Sequence, residues 1–282
     1  MLQIAPSGYW RHAAHQRNPH LRCARAQRDE ALIVVIKGVW QANKQVYGAD
    51  KVWKQMNREG VGIARCTVER LMKRLGLQGA RRGKVVRTTT SDMKVPCPLD
   101  RVNRIFKADR PNQLWVSDFT YVSTWQGWLY VAFVIDVYVR RIVGWRVSSS
   151  MHMDFVLDAL EQALYDRQPQ RDGALTHHSD RGSYVSIRYN ERLAEAGIEP
   201  SAGSKGESYD NALAETINGL YKAEVIHRRS WPTRESVELA TLDWVSWFNH
   251  HRLLGPIGYI PPAEAEANYY RQLASQAARV VA

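Results

Sequence analysis

The sequence predicts an α/β chain, a mixed β-sheet flanked by helices, preceded by an all-α region built around a helix-turn-helix. Three observations carry this reading. The apolar period changes from helical to strand-like at Gln113. The charge divides the chain: residues 1–111 carry 23 Lys/Arg against 8 Asp/Glu, a net of +15, and residues 112–282 carry 16 against 20, a net of −4. The composition is that of a folded protein, with 45% apolar residues, ten Trp and thirteen Tyr among 282, more aromatic surface than a disordered chain carries. A basic front half on a mildly acidic back half reads as a polyanion-binding module joined to a second body. No apolar run approaches the ~18 residues of a membrane span, and residues 1–11 lack a signal-peptide pattern. Cys23, Cys66 and Cys97 are odd in number and far apart. They suit neither a disulfide framework nor a zinc site, and they predict a reducing, cytoplasmic setting.

The elements follow in order. Residues 29–43 place Leu32, Ile33, Ile36, Val39 and Trp40 near helical spacing. Residues 46–59 form a second helix with Val52, Trp53 and Met56 as its apolar stripe and Gly60 as its stop. Residues 64–75 set Val68, Leu71, Met72 and Leu75 on one side and a basic set on the other, ending at Gly76. Two short helices joined by 59–63, the second one basic, fit a helix-turn-helix whose second helix enters the major groove. Its candidate DNA contacts are Arg65, Thr67, Arg70, Lys73 and Arg74. Residues 78–112 read as a basic linker broken by Pro96, Pro98 and Pro111, in which Arg81, Arg82 and Lys84 can track a phosphate backbone. Residues 114–123 (LWVSDFTYVS) alternate, 128–139 (WLYVAFVIDVYV) are almost continuously apolar, and 141–149 follow a tight turn. These are three sequential antiparallel strands, the middle one buried on both faces. A helix over 152–167, a short strand over 174–178, a helix ending at Gly197, a strand over 198–201 and a helix starting near Asp210 complete a mixed sheet covered by helices.

Three acids stand out. Asp118 interrupts the first strand, Asp180 ends the fourth in HHSDRGS, and Glu215 lies on the helix after a glycine-rich loop. At ~100° per residue, Asn211, Asn218, Gly219 and Lys222 fall within roughly 60° of Glu215, while Leu213, Ile217 and Leu220 point the other way. Carboxylates from a strand, a strand end and a helix are hard ligands for Mg²⁺ or Mn²⁺. Two such ions ~4 Å apart clamp an in-line phosphoryl displacement. Taken singly, each acid is more often structural. Asp136, equally odd in its apolar run, reads as structural, and His177 and His178 read as packing or orienting residues because two histidines make a poor zinc site.

The segments WVSDFTYV, FVIDVYVRRIVGWRV, HHSDRGS, GSKGESYDNALAETINGLYKAE, WVSWFNHHRLL and IPPAEAEA, with QVYGADKVWKQM and CTVERLMKRLGL nearer the start, resemble the second-frame (OrfB-type) DDE transposase of the bacterial insertion sequence three family. The resemblance covers nearly the whole chain. It implies a retroviral-integrase-like core with a ribonuclease-H-like, five-stranded mixed sheet. It implies catalytic and metal-binding roles for Asp118, Asp180 and Glu215 with two Mg²⁺ (or Mn²⁺) ions, and DNA contacts from Lys222 and Asn211. The reaction implied is metal-dependent cleavage and strand transfer of DNA at element ends. The partners implied are terminal inverted repeats, target DNA, an upstream-frame protein or frameshift fusion, and further copies of the chain on DNA in a bacterial, nucleoid-associated setting. Between Asp180 and Glu215 lie 34 residues, one fewer than the family's usual spacing. The domain plan expected is an arm over 1–28, a helix-turn-helix over 29–77, a linker over 78–112, a catalytic core over 113–230 and a helical extension over 231–282. The rival reading is a DNA-binding regulator or decayed copy without chemistry. A ribonuclease-H-like RNA nuclease would share the acids and leave the basic helices unexplained.

Overall fold

The computed structural model describes residues 5–81, 83, 107–151, 154–169, 174–179, 187–202 and 212–281. They belong to two compact units, Met1–Ala80 and Arg81–Ala282.

The first unit is all-α: α1 (Pro6–Arg17), α2 (Ala24–Ala42), α3 (Ala49–Arg58) and α4 (Arg65–Arg74). Ile36 of α2, Val52 and Met56 of α3, and Val68 and Leu71 of α4 are fully buried, so the three expected stripes meet in one core. The turn between α3 and α4 is held by the Trp53 indole N–H, which donates to the Ile63 carbonyl at 2.8 Å. Helix α2 begins five residues before the expected start at Asp29, because ARAQR contains good helix formers and no breaker. Helix α1 was not foreseen. It carries no buried residue, so no periodic apolar signal marks it.

The second unit is a five-stranded mixed sheet in the order β3-β2-β1-β4-β5. Strand β1 (Leu114–Thr124) lies at its centre, antiparallel to β2 (Gly127–Asp136), which is antiparallel to β3 (Ile142–Ser148). On the other side β4 (Thr176–Ser179) runs parallel to β1, and β5 (Glu199–Ala202) parallel to β4. This is the ribonuclease-H-like arrangement that the resemblance implied. The continuous apolar run of β2 has its cause here: Val131 to Ile135 are all buried, because helices cover both faces. Helix α5 (Asp154–Arg167) packs on one face with α6 (Ile187–Glu195), around Trp115, Ala159, Leu160, Ala163 and Leu193. Gly144 of β3 permits that packing, since a Cβ there would come within 2.1 Å of the Ala159 carbonyl oxygen.

Helices α7 (Ala212–Glu224) and α8 (Arg234–His250) present Tyr221 and Trp244 to Phe133, with ring centroids 5.2 and 6.0 Å away. Phe133 is the cross-strand neighbour of Asp118, so Asp118 points to the α7 side of the sheet. The core line of α7 runs through Leu213, Ala214, Ile217 and Tyr221. Leu220, expected on that line, is only half-buried; the larger Tyr221 takes the inner place and hydrogen-bonds its hydroxyl to Thr241 at 2.7 Å. The end of α7 is tied to the chain beyond α8 by a buried ion pair. Glu224 accepts from the Arg252 guanidinium, with Nε 3.1 Å from Oε2, and from the Trp244 indole at 3.0 Å. Helix α9 (Pro262–Val281) is anchored at its start by Glu266, which receives both Arg141 and Arg167. Burial alone would raise the Glu266 pKa, but those two guanidiniums overcome it and hold the carboxylate ionised.

Candidate functional site

Asp118 sits in the middle of β1, the central strand, and is half-buried. A carboxylate placed there needs donors, and two are in position. The Phe119 amide donates to Oδ1 and the Asn218 amide to Oδ2, each at 2.8 Å. Asn218 is one helical turn beyond Glu215 on α7, and Lys222 one turn further, so the three share a stripe. Asn218 turns inward and is buried. Glu215, in the first turn of α7, is exposed, where a carboxylate also suits the positive end of the helix. Half-burial lowers the pKa of the Lys222 ammonium, and the negative charge of Asp118 opposes that shift. The polar stripe read from the sequence of α7 is thus turned towards the odd acid of β1. The surprise is Asn218, which the helical projection had already set beside Glu215.

Beneath Asp118 the sheet is polar on its other side as well. His177 of β4 is buried, with its Nε2 2.7 Å from the Ser117 hydroxyl and 3.2 Å from that of Tyr189. Burial drives its pKa down to about 3, so the imidazole is neutral. His178 Nδ1 lies 3.0 Å from the Ser201 hydroxyl, joining β4 to β5. Both histidines are therefore engaged in hydrogen bonds that lock the strands preceding the acids, the orienting role expected of them. Asp136 is also structural. It is fully buried at the end of β2 and accepts main-chain N–H groups from Asn112 (2.6 Å), Tyr138 (3.0 Å) and Val139 (3.3 Å), closing the turn into β3.

Asp180 and Asn211 lie outside the described residues. Among the described residues no three His, Cys, Asp or Glu side chains converge. The donors that are described do fit a hard divalent cation: a carboxylate at Asp118, and beside it the Asn218 carbonyl oxygen, which is buried and has no hydrogen-bond partner. Such an acceptor suits a metal-bound water or a substrate hydroxyl.

In the helical unit, Arg65, Lys73 and Arg74 are exposed and Thr67 is half-buried on α4; Arg81, the first residue of the second unit, is also exposed. Arg70 is otherwise occupied. Its guanidinium grips Asp29 of α2 through two hydrogen bonds of 2.9 and 2.8 Å, and it keeps the Asp29 pKa below the ordinary carboxylate value. The two residues are 41 apart, beyond any local pattern. Arg82 and Lys84 lie outside the described residues.

Comparison with known proteins adds three findings. An HTH-like domain model matches residues 27–85, and integrase core domain models match residues 108–208 and 196–262. The transposase for insertion sequence element IS629 of Shigella sonnei is 59% identical over 273 residues, covering 96% of this chain and 91% of that protein. The putative transposase for insertion sequence element IS986/IS6110 of Mycobacterium tuberculosis is 56% identical over 278 residues, covering 96% and 98%. Among solved structures, the integrase catalytic core domain of HTLV-2 in complex with magnesium aligns with a TM-score of 0.44 at 14% identity, covering 57% of this chain and 99% of that one.

Proposed function

The chain belongs to the transposases of the bacterial insertion sequence three family, DDE-type polynucleotidyl transferases with HTH-like and integrase core domains, and from that premise we propose which residues carry its chemistry. Asp118, Asp180 and Glu215 hold divalent metal, Mg²⁺ or Mn²⁺, as two ions. When bound, the metal supplies Lewis-acid stabilisation of charge on the attacked phosphodiester and lowers the pKa of the attacking hydroxyl. The chain's own residues do the rest. Asn218 fixes the Asp118 carboxylate by holding one oxygen, which aims the other. Lys222, on the same stripe, meets the non-bridging phosphate oxygens of DNA next to the reacting bond. The neutral His177 and its two hydroxyl partners keep β1 and β4 in register beneath the acids. The observation that carries the assignment is the 2.8 Å hydrogen bond from Asn218 to Asp118, which brings the Glu215 helix against the Asp118 strand.

The substrates in this reading are the terminal inverted repeats of the element and a target duplex. The reaction is hydrolysis at the element end followed by attack of the released 3′-hydroxyl. Several copies of the chain assemble on the DNA, supplied in part by a product fused to the upstream frame. The test is Glu215→Gln in an end-cleavage assay with Mg²⁺ or Mn²⁺. Cleavage by the parent should fall by orders of magnitude in the variant while duplex affinity persists. Equal cleavage by the two would remove Glu215 from the ligand set. A parent that binds end DNA and cuts none under any divalent metal would instead mark a regulator or decayed copy.

A further inference from the structure

Residues 1–28 contain five arginines, three histidines and no Asp or Glu. Within them α1 is a twelve-residue helix with no buried side chain, and two of its exposed residues are Tyr9 and Trp10, 60% and 63% accessible. Their rings meet edge to face at 5.4 Å, an arrangement that holds one ring while its partner's face stays open to solvent. The arm is fixed to the helices that follow it. The Arg22 guanidinium donates to the His15 carbonyl at the end of α1 (2.8 Å) and pairs with Glu30 on α2, while Gln27 donates to the Arg22 carbonyl at 2.7 Å. A helix with no fully buried side chain, held to the next helix through Arg22, presents most of its surface to solvent.

We propose that this arm is a second DNA-binding surface, in which Arg11, Arg17, Arg25 and Arg28 meet phosphates and the Tyr9–Trp10 pair stacks on an unpaired or terminal base. It rests on the reading of the chain as a DNA-acting transposase and adds a contact outside the acids and outside the basic face of α4. Charge selects the occupant. A second copy docking through Tyr9 and Trp10 would bring together two sets of the four arginines Arg11, Arg17, Arg25 and Arg28, from arms whose residues 1–28 hold no acid. A polyanion with planar bases complements both features.

The test uses the full chain in EDTA, where binding is measured apart from chemistry, on a ~25-base-pair duplex with a short single-stranded tail. The double variant Arg11→Ala/Arg17→Ala should flatten the dependence of log affinity on log salt by about 2, at ~0.9 per lost phosphate contact. Replacing the same pair by lysine should restore it. Trp10→Ala should weaken binding to the tailed duplex by roughly 5- to 100-fold and leave the salt slope unchanged, and Trp10→Phe should recover most of the loss. None of these side chains is buried, so melting temperatures should match the parent's. Unchanged affinity and slope in both variants would overturn the proposal. So would a shift in sedimentation mass with unchanged DNA binding, which would assign the patch to a second copy. The catalytic reading fails separately, by absent cleavage in a chain whose binding responds as described.

Discussion

Acid should unlock the sheet through His177. The imidazole is neutral in the fold, its pKa lowered from the ordinary 6.5 to about 3 by burial, whereas in the unfolded chain it titrates near 6.5. Between these values the unfolded chain binds the extra proton, so stability must fall as pH drops through 6.5 and continue falling towards 3. Integrating the difference from pH 7 to pH 5 gives a loss of ~2 kcal/mol from this one side chain. The same integration gives almost nothing between pH 9 and 7. Protection of β1 and β4 amides against hydrogen exchange, corrected for intrinsic rates, reads the effect in the sheet unit alone. His177→Gln keeps a hydrogen-bonding group beside Ser117 and Tyr189 and cannot titrate. It should start less stable at pH 7 and then lose ~2 kcal/mol less than the parent on going to pH 5. If the two proteins lose equal protection over that interval, His177 is not buried neutral and the reasoning fails.

Lys222→Ala should leave thermal stability within about 1 kcal/mol while weakening crosslinking to end DNA, and Lys222→Arg should retain most of the crosslinking. A large stability loss with normal crosslinking would make the ammonium a structural partner of Asp118. Gly144→Ala should destabilise the sheet unit by ~1–3 kcal/mol, because its Cβ collides with the Ala159 carbonyl oxygen. Gly38→Ala, in α2 with nothing within 4 Å of the added carbon, should raise the stability of the helical unit by up to ~1 kcal/mol. A calorimetric scan of each separates the two directions, and a gain at Gly144 would refute the packing of β3 on α5.

Periodicity made most of this architecture legible, and the reasons it failed elsewhere are specific. Strands β1 to β3 announced themselves because one face or both must be apolar, and the helix stripes of α2 to α4 for the same reason. Helix α1 has no such face, so periodicity leaves residues 1–28 as an arm. Asp136 and Asp118 look alike in sequence, each a lone acid in an apolar strand. What separates them is the donor set: main-chain N–H groups of a closing turn at Asp136, and a side-chain amide from a distant helix at Asp118. Asn218 lay on the projected face of Glu215, but a projection cannot say which side of that face is inward. Arg70 falls among the basic residues of α4 by sequence because its carboxylate partner, Asp29, is on another helix. Long-range pairing of this kind leaves no local trace.

The buried pair of Glu224 and Arg252 ties the chain beyond α8 to the end of α7. A reading frame stopped after codon ~230 would keep Asp118, Asp180 and Glu215, and by motif it would still look competent. Its product would lose Arg252 and Trp244, the two partners of the Glu224 carboxylate, and would leave Phe133 and Tyr221 without the Trp244 ring that packs on them. The helix that aims Glu215 would lose its footing. On the proposed assignment of Asp118, Asp180 and Glu215, a copy truncated there should therefore be silent even where all three acids survive.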